Sequence, residues 1–91
     1  MQIELESVRT LPAEYRPWVP SLEARMYLPA GGECRLLTLI DGTTLVPVWV
    51  AISEVTDAGY IGHTVDNYGT NEVAVPFGTR FEFTADHVID Y

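Results

Sequence analysis

Lysine is absent from the 91 residues, and the five basic residues, all arginine, stand against thirteen acids, for a net charge of −8. A chain of that sign is repelled by phosphate backbones and by anionic membranes, so neither nucleic acid nor a membrane surface is an expected direct partner. Cysteine occurs once, at Cys34, which leaves no intrachain disulfide and no cysteine-built zinc site. No uninterrupted apolar run approaches the roughly 20 residues that span a bilayer. The opening MQIELESVRT carries acids where a signal peptide needs basic residues, which points to a soluble, cytoplasmic protein. A phosphate-cradling loop is also missing, because Gly31-Gly32 runs into Glu33 with no lysine to follow.

What remains has the composition of a folded domain rather than of a disordered tail, with 47% hydrophobic and only 20% charged residues. One domain is expected over 1–91, divided into an N-terminal strand with a proline-rich arm (1–32) and a β core (33–91). Four of the six prolines, at 12, 17, 20 and 29, rule out a long helix or central strand through the arm. Ser21 can cap one short helix starting at Leu22. Ahead of the arm, Ile3 and Leu5 alternate with acids as in a half-buried strand.

From Glu33 onward the pattern is β. RLLTLI and TTLVPVWVAI flank Asp41-Gly42, a strong hairpin signal because a two-residue type I′ turn needs positive φ at both positions. With that turn, Leu37 and Leu39 share a face with Val46 and Val48, while Leu36 and Ile40 lie on the other with Leu45 and Pro47. The next turn, TDAG at 56–59, has four residues if Ile61, His63 and Val65 face inward beside Val50 and Ile52. Val73, Val75 and Phe77 alternate, as do Phe81 and Phe83, and TADHVIDY suggests a helical turn before a last extended stretch. A mainly β fold follows: a strongly bent antiparallel sheet or SH3-like barrel, whose outer face around Trp49, Leu45 and Leu36 is covered by the arm and Trp18.

The stretch GHTVDNYGTNE gathers His63, Asp66, Asn67, Asn71 and Glu72. A calcium loop fails on spacing, since counting from Asp66 places Tyr68 at the third position and Gly69 at the fourth. Asn and Gly at these positions favour a connection between strands, with a weak ion site at Asp66–Glu72 as the alternative. His63 and His87 lie in different elements without ligand spacing, and His63 reads as an inward-facing core imidazole. Cys34, His63 and Asp66 supply the residue types of a nucleophile, base and orienting acid, but without an arrangement. No catalytic residue, metal or cofactor is therefore assigned, and an enzyme is not expected.

The C-terminal half makes the acidic field: residues 46–91 carry seven acids against one arginine, and residues 1–45 six against four. Interface anchors favour Trp and Tyr. The candidate interaction residues are Glu54, Asp57, Tyr60, Asp66, Tyr68, Glu72 and Trp49, with a solvated acidic face over a Trp49 core as the competing structural reading.

Trp49-Val50, Gly62, Asp66-Asn67, Phe77-Gly78, Arg80 to Phe83 and Ile89-Asp90-Tyr91 resemble the motifs of the YegJ-like (DUF2314) family of small bacterial proteins. The chain departs from them at Val46, Pro47 and Val48, where that family has polar residues, and at Tyr91, where it ends on Trp. The resemblance implies the β fold and carries no established activity. The expected function is that of a non-catalytic acidic binding protein, an inhibitor or immunity-type antagonist that docks on a basic surface of a toxin or nucleic-acid-acting protein. A phage counter-defence inhibitor falls within this expectation. The alternative is an accessory β domain acting as a homodimer or larger homo-oligomer.

Overall fold

A computed structural model describes residues 1–70 and 72–91; Asn71, named above in the polar cluster, lies outside the described residues. The strands are β1 (Ile3–Leu5), β2 (Glu33–Ile40), β3 (Thr44–Val55), β4 (Tyr60–Thr64), β5 (Tyr68–Gly69), β6 (Ala74–Val75), β7 (Arg80–Phe83) and β8 (Val88–Asp90). The main sheet runs β1-β2-β3-β4-β7, antiparallel throughout, and β8 also pairs with β2. Since β3 occupies one edge of β2 along its whole length, β1 and β8 share the other, at residues 38–40 and 35–36 respectively. After β7 the chain crosses a 3-10 turn (Ala85–His87) and returns as β8 to β2, so the strongly bent sheet nearly closes on itself. Separately, β5 and β6 form a small two-stranded hairpin.

The Asp41-Gly42 turn forms, with φ of 50° and 72° and Thr43 N donating to Ile40 O at 3.0 Å. The ladder behind it differs from the two-residue expectation, because Ile40 pairs with Thr44 and Thr43 is an extra residue. A one-residue slip exchanges the faces. Leu36, Thr38 and Ile40 therefore face the interior with Val46, Val48 and Val50, and Leu37 and Leu39 take the outer face with Pro47 and Leu45. Pro47 fits in this strand because β4 does not reach it. Trp49 O accepts from Val65 N on the β4 side at 3.1 Å, so Pro47, two residues earlier, turns its ring nitrogen to the same edge, where no ladder bond is lost.

The β3–β4 loop has the expected four residues, with Val55 opposite Tyr60. The inward set is nonetheless the opposite one. A bulge at Ser53, between Ile52↔Gly62 and Glu54↔Ile61, inserts one residue into β3 and reverses the register. Tyr60, Gly62 and Thr64 point inward, while Ile61 and His63 are only half-buried on the other face, so His63 is not the core imidazole expected. A Cβ on Gly62 would lie 2.9 Å from Ala51 O and 3.2 Å from the Phe83 ring, so the interior has no room for a larger residue there. The alternation Val73, Val75, Phe77 yields only the two-residue β6, and Phe77 is exposed.

The core between the inner faces holds Cys34, Leu36, Ile40, Val46, Val48, Val50, Ile52, Tyr60, Val75, Phe81, Phe83 and Val88, closed at one end by Leu28. A satellite cluster of Leu11, Leu37 and Ile89, with Val8, Tyr15 and Val19 against it, is where the arm meets the outer face. The arm thus covers Leu37 rather than Trp49, and Trp18, 71% exposed, covers nothing. Ser21 caps α1 (Leu22–Met26) through Ala24 N, and the end of this helix is tied to the core by Tyr60, whose hydroxyl donates to Arg25 O (2.7 Å) and accepts from Leu28 N (3.2 Å).

Candidate functional site

The structure divides the seven candidate residues. Trp49 projects from the outer face of β3, half-buried beside its cross-strand neighbour Arg35, whose guanidinium carbon stands 5.9 Å from the indole centroid. The segment after β4 passes Trp49 and places Val65, Asp66 and Tyr68 around it. On the other side, β8 runs antiparallel to the start of β2 with Arg35 opposite Asp90, which brings Tyr91 to Glu33. Glu33, Trp49, Val65, Asp66, Tyr68 and Tyr91 line one hollow of about 460 Å³. Across Trp49 and Tyr68 it continues into an apolar groove of about 660 Å³ floored by Leu45, Pro47 and Val73, with Arg35 at its side.

Glu72 lies exposed between β5 and β6, near this surface but outside the hollow. Glu54 and Asp57 belong elsewhere. Glu54 is five residues farther along β3 than Trp49, roughly 16 Å at the rise of a strand. Asp57 lines a shallow depression with Leu22, Met26 and Asp86. Tyr60, expected as a solvent-facing anchor, is only 3% exposed and stacks on Phe83 with ring centroids 5.4 Å apart. The Ser53 bulge turned it inward, and it serves the fold.

The polar cluster at 62–72 spends its oxygens on the backbone. Asp66 Oδ1 accepts from Asn67 N at 2.8 Å, and Asn67 Oδ1 accepts from Phe77 N at 2.9 Å, tying the two ends of the β5–β6 excursion together. The buried Thr64 hydroxyl donates to Pro76 O and accepts from Thr79 N. These are the local bonds of a connection between strands, and they keep Tyr68 beside Trp49 along the same hollow. Among the described residues no three of His, Cys, Asp and Glu come together as metal ligands.

Two groups, Cys34 and His87, have shifted proton affinities. Burial pushes the Cys34 thiol up to about 12, so at neutral pH it is a shielded, neutral group inside the sheet. Burial also lowers His87 below its usual value, partly opposed by the charge of Asp86, while Nδ1 accepts the Thr84 N–H at 3.0 Å as part of the cap on the last 3-10 turn.

Three lining residues escaped the sequence reading as site residues: Val65, which neighbours Asp66 in the chain, and Glu33 and Tyr91. Nothing in local spacing joins positions 33 and 91; only the return of β8 to β2 does. No helix among the described residues is long and apolar enough to cross a membrane. No family model, curated protein or solved structure matches the chain, so the YegJ-like resemblance rests on the motifs quoted above.

Proposed function

We propose that the protein is a non-catalytic acidic binding protein, an inhibitor or immunity-type antagonist whose Trp49–Tyr68–Tyr91 surface docks on a basic patch of a protein partner. The observation that carries this reading is the hollow itself: three half-buried or exposed aromatics with carboxylates at Glu33 and Asp66 on the rim, on a chain of net charge −8. Aromatic side chains supply contact area at little entropic cost, and acids around them accelerate encounter with a basic target. The strand order, with a 3-10 turn before the strand that returns to β2, supports reading the nearly closed sheet as an SH3-like barrel.

The test is association kinetics with a partner captured from the native host, measured against salt. Converting Glu33 and Asp66 to Lys is expected to slow association and flatten its salt dependence, whereas converting Glu54 and Asp57 leaves both unchanged. Rates indifferent to salt and to the first pair would remove the acidic surface from the mechanism.

A further inference from the structure

We infer that the hollow lined by Glu33, Trp49, Asp66, Tyr68 and Tyr91 is a cage for the head of an alkylated ammonium ion, such as a methylated lysine side chain or a small quaternary amine. The inference rests on the reading above that this face binds, and it narrows what is bound to one chemical group. Three aromatic rings from β3, β5 and the end of β8 meet two carboxylates in one concavity. Neither Glu33 nor Asp66 enters an ion pair among the described residues, so both charges are available to a ligand.

The lining discriminates among occupants. An anion would meet Glu33 and Asp66. A neutral apolar group would fill the aromatic walls but take water from the two carboxylates without compensating them. A hard metal ion needs more oxygen ligands than the two carboxylates Glu33 and Asp66 supply, and the rest of the lining is aromatic or aliphatic. An unmodified ammonium could pair with Glu33 and Asp66, but the rest of its strongly hydrated N–H donors would meet aromatic and aliphatic walls that accept them poorly. An alkylated ammonium ion replaces those donors with methyl groups, keeps its positive charge, and is attracted by the electron-rich faces of Trp and Tyr. The chain already uses this attraction at Trp49. Arg35 stands over the same ring, and it lines the neighbouring apolar groove rather than the hollow, which leaves the hollow free.

The test is a titration of the folded chain with tetramethylammonium chloride at constant ionic strength, read on the indole N–H resonances of its two tryptophans. Trp18 on the arm is the internal control, assigned through Trp18→Phe. A saturable shift at Trp49 alone is expected. Ammonium chloride and neopentyl alcohol, which has the same shape without the charge, should bind about tenfold more weakly or less. Tyr91→Ala, at a residue 59% exposed and so dispensable for folding, should weaken tetramethylammonium by a similar factor, as should Asp66→Asn, which keeps the Oδ1 acceptor for Asn67 N.

Choline and a trimethyl-lysine peptide, compared next, separate the two sources, and the tighter one shows which of them the hollow fits. A Trp49 signal unmoved by tetramethylammonium, or moved equally by neopentyl alcohol, overturns the cage. If an arginine-rich peptide still binds in a salt-dependent way in that case, the acidic-surface reading survives and only the cage is lost.

Discussion

At Leu37 and Ile89 the outer face of the β2–β3 hairpin and its β8 neighbour is sealed, with exposures of 0% and 2%, while farther along the same face Leu45 and Trp49 remain open to solvent. Both patches are apolar and lie on one outer face, the sealed one on β2 and β8 and the open one on β3. What separates them is the arm. Its prolines set a path that lays Leu11, Tyr15 and Val19 over Leu37 and then turns away through Ser21 into α1. Ser7 and Arg9 hold the start of that path on Asp86, at 2.6 Å and 3.4 Å. The sealed patch contributes to stability. The open patch, bordered by the carboxylates of Glu33 and Asp66, stays uncovered.

Truncation should expose the contrast most strongly. Leu37→Ala is expected to cost about 2–5 kcal/mol in chemical denaturation, the range for a fully buried leucine, against under about 1 kcal/mol for Leu45→Ala. Equal losses would mean that the two patches are not differently covered. Next in size is Gly69→Ala. Gly69 has φ of 92°, and a Cβ there would collide with Val73 O, so the substitution should cost about 1–3 kcal/mol and disturb the hairpin that carries Tyr68. Amide shifts confined to residues 66–77 are expected, with those of Leu37 and Ile89 unchanged.

A smaller effect distinguishes the sealed end by pH. The folded state holds His87 more neutral than the unfolded chain does, so the unfolded state binds the extra proton. Stability should therefore be fully present above the ordinary value of 6.5 and fall as pH drops below it, through the lowered folded value. Thermal melts of His87→Asn between pH 7 and 5 should show a shallower fall than the parent. The smallest effect belongs to the open patch: Glu33→Gln and Asp66→Asn should change stability by only ~0–1 kcal/mol, because both carboxylates are exposed. Loss of the melt on either substitution would show that the rim supports the fold instead.

Much of the architecture could be read from residue order. Alternation at Ile3 and Leu5, the Asp41-Gly42 turn, the four-residue TDAG loop, the Ser21 cap and the Thr84 turn all appear where local chemistry puts them. The faces could not be read in this way. Each depended on a single inserted residue, Thr43 in one hairpin and Ser53 in the other, and a bulge leaves no signature in a run of apolar residues. Tyr60 went from expected anchor to core member on that account, and His63 from core to a half-buried outer position.

The candidate site divides along the same line. Trp49, Asp66 and Tyr68 stand out in the sequence because aromatics interleaved with acids are rare enough to notice, and a net charge of −8 without lysine already favours a cationic ligand. Composition and local turn chemistry thus determined the acidic character of the chain and the β character of the scaffold, since both follow from residue types and their immediate neighbours. The meeting of Glu33 and Tyr91 with that group, and the sealing of Leu37 in place of Trp49, were decided only when β8 returned to β2 and the arm chose its course. Those contacts join residues distant in the chain, and their energy depends on the packing of the whole sheet rather than on any local preference of the chain.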